Sequence, residues 1–486
     1  MQKYLILLIF CLGFSQVNWH IENVDKTNLD GYPFEISALA LDSNYIPHIL
    51  YVSAYFSDLL FATRDDNGWE KEIVETSLRY FGASLAFDNN NTPHISYYAA
   101  DAHLNRTYLC YAQKINGEWM RMVVDSCTGG YSPFIYHTSI DLDTNGKPGI
   151  AYMAWEAPDS LRMIKYAYFD GISWSISILT CVAIGHTLDY SPALAFDRNN
   201  GIPHIAFHRL YGATRDTVFH ALHNDTLNQW IIEPAIIIPD GGEPIDMALN
   251  SRGYPCIAYG WNIALAYSWW DGQYWHTNEF TGYYIGWIGI AMALALDSLD
   301  NPHIIAHGDP ITYSPGYCYK DTIWHAYYPI GDTGIVKGDI SIALGRDGDL
   351  HVCYDFYSYH NDTTYLKYAW GTPVGIKEEK MQKPKDKSPK IEVYPNPSRE
   401  KVMIRCMIQN TRYIIPDINL KIYDVGGRLV KQFDHLSSKQ YGGIQPFNEI
   451  IWYGDDNSGK QVPGGVYFIK LETSDYSEIK KIIRLK

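Results

Sequence analysis

Glu156 and Asp159, with Asp101 or Asp309 as partners, are the acids whose positions could support glycan chemistry. Hydrolysis of a glycosidic bond uses two carboxylates flanking it. Arg106, Arg162, Arg209 and Arg215 are the cations that would have to converge on an acidic substrate, because a guanidinium holds a carboxylate bidentately. Aromatic and imidazole side chains accompany them: Trp155, Tyr136, Tyr190, Trp287, Tyr313 and His208. Rings of this kind stack on sugar faces or anchor a protein partner at low entropic cost. Nucleophile-elbow, P-loop and HExxH patterns are absent. The expected ligand surface is therefore Trp155, Glu156, Arg162, Arg106, His208, Arg209, Tyr136, Tyr190, Trp287 and Tyr313. No catalytic residue, metal ligand or cofactor is assigned. Binding of a glycan or an extracellular protein is the favoured role, and a glycan-active enzyme is the alternative.

A second set of polar residues recurs too often to be one centre. Asp42, Asp88, Asp143, Asp197 and Asp297 each open a turn, and His48, His94, His204, His303 and His351 each follow at the start of the next apolar run. Gly149 and Cys256 occupy the same place in two further copies. A residue present in most copies serves the copy. Asp caps turn N–H groups, and an Asp–His pair inside each unit would satisfy both partners where they are buried. Asp143-Thr144-Asn145-Gly146 and Asp347-Gly348-Asp349 lack the spaced acidic series of a full calcium loop.

The elements that position these residues follow from the repeat. Taken at positions 48, 94, 149, 204, 256, 303 and 351, the steps are 46, 55, 55, 52, 47 and 48 residues. That period marks a radial or stacked array of one supersecondary unit. The second copy reads as four strands, Ala83–Phe87, Pro93–Tyr98, Thr107–Lys114 and Trp119–Asp125, joined by polar turns. Seven such antiparallel sheets arranged radially make a β-propeller. The last copy lacks a fourth strand, and Trp19–Asp25 matches Trp119–Asp125 in its Trp, Val and Asp. The N-terminal segment is therefore expected to complete the seventh sheet and remove both open edges. Turns between first and second strands, and between third and fourth, are short. The other two loop classes vary and emerge together on one face, where binding sites are usually placed.

Residues 1–16 read as a secretory signal, with Lys3 ahead of the apolar run Tyr4–Phe14. That run is too short to span a bilayer, and no other segment approaches the length, so no transmembrane segment is expected. A net charge of −15 argues against nucleic acid as a partner. Of the 8 Cys, only Cys11 lies in the signal, and none forms a CxxC pair. A zinc framework is not indicated.

The expected domains are the signal, 1–16; an all-β seven-bladed propeller, 17–372; a flexible Lys-rich linker, 373–390; and a C-terminal body, 391–486. In the last, seven alternating segments suggest an immunoglobulin-like sandwich. Four ordered motifs there, Tyr394-Pro395-Asn396-Pro397, Ile422–Val430, Val462–Phe468 and Lys480–Ile483, resemble the C-terminal sorting domain of proteins exported by the type IX secretion system. That resemblance implies contact with the secretion machinery, export across an outer membrane, and a secreted or cell-surface location after signal cleavage. The repeats also resemble secreted bacterial propellers grouped with sialidase-like folds, although the Ser-x-Asp-x-Gly-x-x-Trp box of sialidases does not recur here. The enzymatic alternative that this likeness implies is a sialidase-like hydrolase or a polysaccharide lyase.

Overall fold

A computed structural model describes residues 17–485 except 28–36, 54–56, 102, 105, 129–136, 157–160, 184–186, 212–215, 225, 239–244, 262–263, 285–290, 307–314, 328–329, 331–337, 347, 359–360, 373–389, 395, 397, 400, 408–417, 426–427, 437–446 and 473–476. The expected signal, nearly all of the expected linker, and Tyr136, Asp159, Arg215, Trp287, Asp309 and Tyr313 lie outside the described residues. The chain divides into two compact units, 1–378 and 379–486.

In the first unit, seven four-stranded antiparallel sheets follow one another. They span 37–76, 79–127, 138–183, 187–238, 245–284, 292–327 and 340–371, and are called blades one to seven. The fourth strand of blade seven is His20–Thr27, which pairs with Thr363–Gly371 from His20 opposite Trp370 to Thr27 opposite Thr364. The N-terminal closure expected from the sequence is thus present. First strands touch in succession, and Ile340–Leu344 of blade seven contacts Ser37–Leu41 of blade one, which completes the ring.

One tryptophan per blade shows how neighbours are held. Trp69, Trp119, Trp174, Trp230, Trp275 and Trp324 begin or nearly begin the fourth strands of blades one to six. Each meets the third strand of the preceding blade, on Tyr368, Phe61, Tyr111, Tyr166, His220 and Tyr267 respectively. Trp19, just ahead of His20–Thr27, makes the same contact on Tyr317 of blade six. Centroids are 5.1–6.0 Å apart and planes cross at 66–86°, the edge-to-face geometry that ring quadrupoles favour.

The repeated Asp and His residues approach each other in blades one, two and six, but at 3.5–3.9 Å the facing imidazole Nε2 atoms of His48, His94 and His303 make no hydrogen bond, so the mutual satisfaction expected from the spacing is not reached. Asp88 Oδ1 accepts the N–H groups of Asn90 at 2.9 Å and Thr92 at 2.7 Å. Asp42, Asp143 and Asp297 repeat this pattern two and four residues on. The other carboxylate oxygen faces the histidine, at 3.9 Å for Asp88–His94 and 3.5 Å for Asp297–His303. Each ring then meets a third-strand group through Nδ1: Thr63 for His48, Tyr111 for His94, His220 for His204 and Tyr317 for His303. In blade three a glycine replaces the histidine because Phe196 of blade four and the Tyr166 hydroxyl fill the space; a Cβ at Gly149 would lie 2.8 Å from both.

The strands run longer than the sequence pattern suggested. In blade two they are Arg79–Phe87, Pro93–Asp101, Arg106–Ile115 and Glu118–Cys127. A bulge between Phe81 and Ser84, with Gly82 at φ 58°, lets the first strand begin early. Tyr80 and Phe81, which precede the strand start expected at Ala83, are therefore buried strand residues. Alternation fades at a bulge because the extra residue interrupts the period of two.

The second unit is a two-sheet sandwich, the immunoglobulin-like arrangement expected for it. Lys390–Tyr394, Val402–Met407 and Phe447–Trp452 form one sheet. Ile418–Asp424, Leu429–Leu436, Gly465–Glu472 and Ser477–Arg484 form the other. Val402, Ile404, Leu420, Ile422, Trp452, Tyr467, Ile469 and Ile482 pack between them. Asn396 donates to the Lys481 carbonyl at 2.7 Å and accepts from Ile483 N–H at 2.8 Å, so two of the sequence motifs meet.

Candidate functional site

The ends of second strands, and the starts of third and first strands, share one face of the ring. On blade three, Pro148–Glu156 and Leu161–Phe169 pair so that Trp155 lies opposite Arg162. The Arg162 guanidinium carbon lies 5.8 Å from the Trp155 ring centroid, within cation–π range. Glu156 sits beside them, but it is engaged. It accepts from the Thr128 hydroxyl at 2.6 Å and the Thr128 N–H at 3.3 Å, and Lys165 Nζ is 3.8 Å away. Lys165 is 8% exposed and pairs with Asp125 of blade two at 2.9 Å. Asp125 also accepts from the Tyr152 hydroxyl at 2.7 Å. The Tyr152 phenol is pushed far up by burial and by Asp125, so it remains a donor.

The other nominated residues spread over two blades. In blade four, His208 is buried, with Nε2 3.7 Å from Asp216 Oδ2. Tyr190 pairs with His208 in the strand ladder. The Arg209 guanidinium lies 4.9 Å from the Phe219 ring centroid. Arg106 is exposed and pairs with Asp101 across the second and third strands of blade two. Asp101 accepts from the N–H groups of His103 and Leu104. Among the described nominated residues, Trp155, Glu156 and Arg162 gather at the end of one strand pair of blade three, and Tyr190, His208 and Arg209 at the end of one strand pair of blade four.

On the same face, all seven blades contribute to a central cavity of about 220 Å³. One position per blade lines it: Ala38, Ser84, Ser139, Ala193, Asp246, Ala293 and Ser341. The polar ones also bind the next blade. Ser341 Oγ accepts from Leu39 N–H at 3.1 Å, Ser84 Oγ from Ile140 N–H at 3.2 Å, and Ser139 Oγ from Leu194 N–H at 3.0 Å. Asp246 does the same through Oδ2 to Leu294 N–H at 2.8 Å, while Oδ1 accepts from Met247 N–H at 2.8 Å. Burial raises the Asp246 carboxyl to about 6 against those two bonds. His137, Ser191 and Asp339 lie at the cavity mouth. Burial pushes the Asp339 carboxyl up, and the charge of His137 opposes it.

No motif chemistry marks this ring in the sequence. Its signal is positional, since each lining residue stands four places before its turn residue, Asp42, Asp88, Asp143, Asp197, Asn250, Asp297 or Gly345. Asp246 is the only carboxylate in that column. Among the described residues, no group of three or more His, Cys, Asp and Glu is arranged to hold a metal ion.

Fold and comparison together define a class: an exported β-propeller carrying a C-terminal sorting domain. Residues 392–445 match the family described as the secretion system C-terminal sorting domain. This places the chain on the type IX export route, toward the cell surface or extracellular space. No curated protein matches the chain. Similar solved structures include a lectin of Aleuria aurantia, at 10% identity over 63% of this chain and 99% of that one, with a TM-score of 0.43. An α-L-arabinanase of Penicillium chrysogenum is 12% identical over 60% of this chain and 93% of its own, with a TM-score of 0.43. The polysaccharide lyase Uly1 is 9% identical over 73% of this chain and 99% of its own, with a TM-score of 0.45. No ligand or activity passes to this chain from these likenesses. Among the described residues no helix is long and apolar enough to cross a membrane.

Proposed function

We propose that the propeller is a non-catalytic binding module for a glycan or extracellular protein, displayed or released outside the cell. In this reading residues 1–16 direct passage of the inner membrane and are removed, 17–372 bind, 373–390 act as a linker, and 391–486 engage the secretion machinery. One observation carries it: four described carboxylates on the variable face, Glu156, Asp101, Asp216 and Asp246, each help to hold turns, strands or blades together. Glu156 is held by Thr128 and Lys165, Asp101 by two N–H groups, Asp216 faces His208, and Asp246 accepts two N–H groups. An acid–base pair needs carboxyls able to exchange protons with substrate or water. Trp155 with Arg162, and Arg209 on Phe219, instead offer ring and guanidinium surfaces suited to contact.

The test is a glycan array read in parallel with glycosidase and lyase assays on the secreted chain. Retention on specific glycans without turnover is expected. Turnover would overturn the reading, and loss of that turnover in Asp246→Asn would establish the enzymatic alternative, because a carboxyl raised to about 6 is suited to general acid catalysis.

A further inference from the structure

The central cavity has a chemistry that narrows the ligand, and the inference rests on the binding reading above. Its polar lining is of two kinds. Ser84, Ser139 and Ser341 each accept a backbone N–H from the next blade. A hydroxyl that accepts in this way keeps its own hydrogen for donation. Asp246 and Asp339 supply carboxylates at the wall and at the mouth. Each carboxylate oxygen has more than one acceptor direction, so the two N–H bonds to Asp246 leave capacity for a ligand. The other ring positions, Ala38, Ala193 and Ala293, keep the cavity open. At roughly 30 Å³ of liquid volume per water, about 220 Å³ is room for several waters or one sugar ring.

The charge is one-sided. Among the described residues that line the cavity there is no Lys or Arg, and His137 is the sole cationisable group. A sialic or uronic acid end would bring its carboxylate toward two others with no guanidinium to receive it, contrary to the usual recognition of such groups. A ligand with hydroxyls and a cation meets the opposite situation. The hydroxyls have serine donors and carboxylate acceptors. The ammonium has desolvated carboxylates, where a charge-assisted hydrogen bond is strong.

We propose that the mouth of the central channel is a binding site for one amino-sugar unit, a hexosamine with a free ammonium group. The ring enters end-on between Ala38, Ala193 and Ala293. The ammonium faces Asp246 and Asp339, and hydroxyls meet Ser84, Ser139 and Ser341. The site therefore selects a chain end or a free monosaccharide over the interior of a polymer.

The experiment titrates the full chain by calorimetry with D-glucosamine, D-glucose, D-glucuronate and ethanolamine. Glucosamine binding is expected to exceed glucose and ethanolamine by about tenfold or more, the scale of one charge-assisted contact, with glucuronate weakest. Asp246→Asn keeps the shape and one acceptor, and should reduce glucosamine affinity about tenfold. Ala38→Leu fills the cavity from its wall and should abolish binding while the melting temperature stays near wild type. It remains decisive if Asp246→Asn fails to fold. Equal affinity for glucose, equal affinity for ethanolamine, preference for glucuronate, or absence of glucosamine binding overturns the site. So does glucosamine affinity unchanged in Ala38→Leu, even where the chain binds other glycans elsewhere and the binding reading stands. Hydrolysis of a glucosaminide, lost in Asp246→Asn, overturns the non-catalytic reading and retains the channel as the sugar site.

Discussion

Replacing Asp125 by alanine isolates one buried charge. Its carboxylate is 2.9 Å from Lys165 Nζ and accepts the Tyr152 hydroxyl at 2.7 Å. Lys165 is 8% exposed and Tyr152 is fully buried. Removing one member of a buried pair leaves an uncompensated charge and costs about 3–5 kcal/mol. A stranded buried hydroxyl adds about 1–3 kcal/mol. Glu156, 3.8 Å from Lys165, takes up part of the charge, so the expected total is about 4 kcal/mol. Asp25 provides an internal control. It holds the equivalent place on the fourth strand of blade seven, accepting Tyr51 at 2.7 Å and pairing with Lys71 at 2.9 Å. The Lys71 side chain is 35% exposed, so its ammonium stays hydrated. Asp25→Ala is expected to cost about 1–3 kcal/mol, chiefly through buried Tyr51. Equilibrium urea unfolding, read by near-ultraviolet circular dichroism, measures both. In the double variant Asp125→Ala/Lys165→Met no buried charge remains, and about half the loss should return. An Asp125→Ala protein within about 1 kcal/mol of wild type, or a double variant no better than the single, would refute the assignment of a structural charge at this junction.

Three other outcomes follow from the same geometry. Burial lowers His48 and His351 from 6.5 to about 4, and lowers His94, His204 and His220 as well. The unfolded chain therefore binds protons first. Stability is intact above about pH 6.5 and falls as pH drops toward about 4, by about 3 kcal/mol for His48. His48→Gln should flatten that slope in unfolding free energy measured against pH, and an unchanged slope would contradict the burial argument. Gly149→Ala places a Cβ 2.8 Å from the Phe196 ring and the Tyr166 hydroxyl and should cost about 1–3 kcal/mol, partly recovered by Phe196→Leu in a melting experiment. Deleting residues 17–27 removes the contact of Trp19 with Tyr317 and the Glu22 partner of Arg64 and Trp69. It should lower the melting temperature and expose the Thr363–Gly371 edge to dimerisation, and an unchanged melting temperature in a monomer would count against closure through this strand.

The nominated ligand surface was legible as strand ends, and the structure puts Trp155 and Arg162 together because they are partners in the register of Pro148–Glu156 with Leu161–Phe169, with Glu156 next in the chain. Local spacing could not tell that Glu156 is engaged, because Thr128 lies 28 residues away and Lys165 is set by the register of the third strand. Nor could it tell that Tyr80 and Phe81 continue a strand, because the bulge at Gly82 breaks the alternation.

By itself the sequence determined the wedge. A turn-capping Asp, a buried His and period-two strands are local choices, and most copies make them with their own residues. The copy number, and the kinship of Trp19–Asp25 with the other fourth strands, settled that the ring would close through the N-terminus. The shared cavity was decided only in three dimensions. Ser341 meets Leu39 across 302 residues of sequence, and Asp246 becomes a carboxylate in a narrow neutral ring only when all seven first strands stand side by side. A repeat encodes each contact within its unit, whereas the channel exists only between units, where no local pattern can record it.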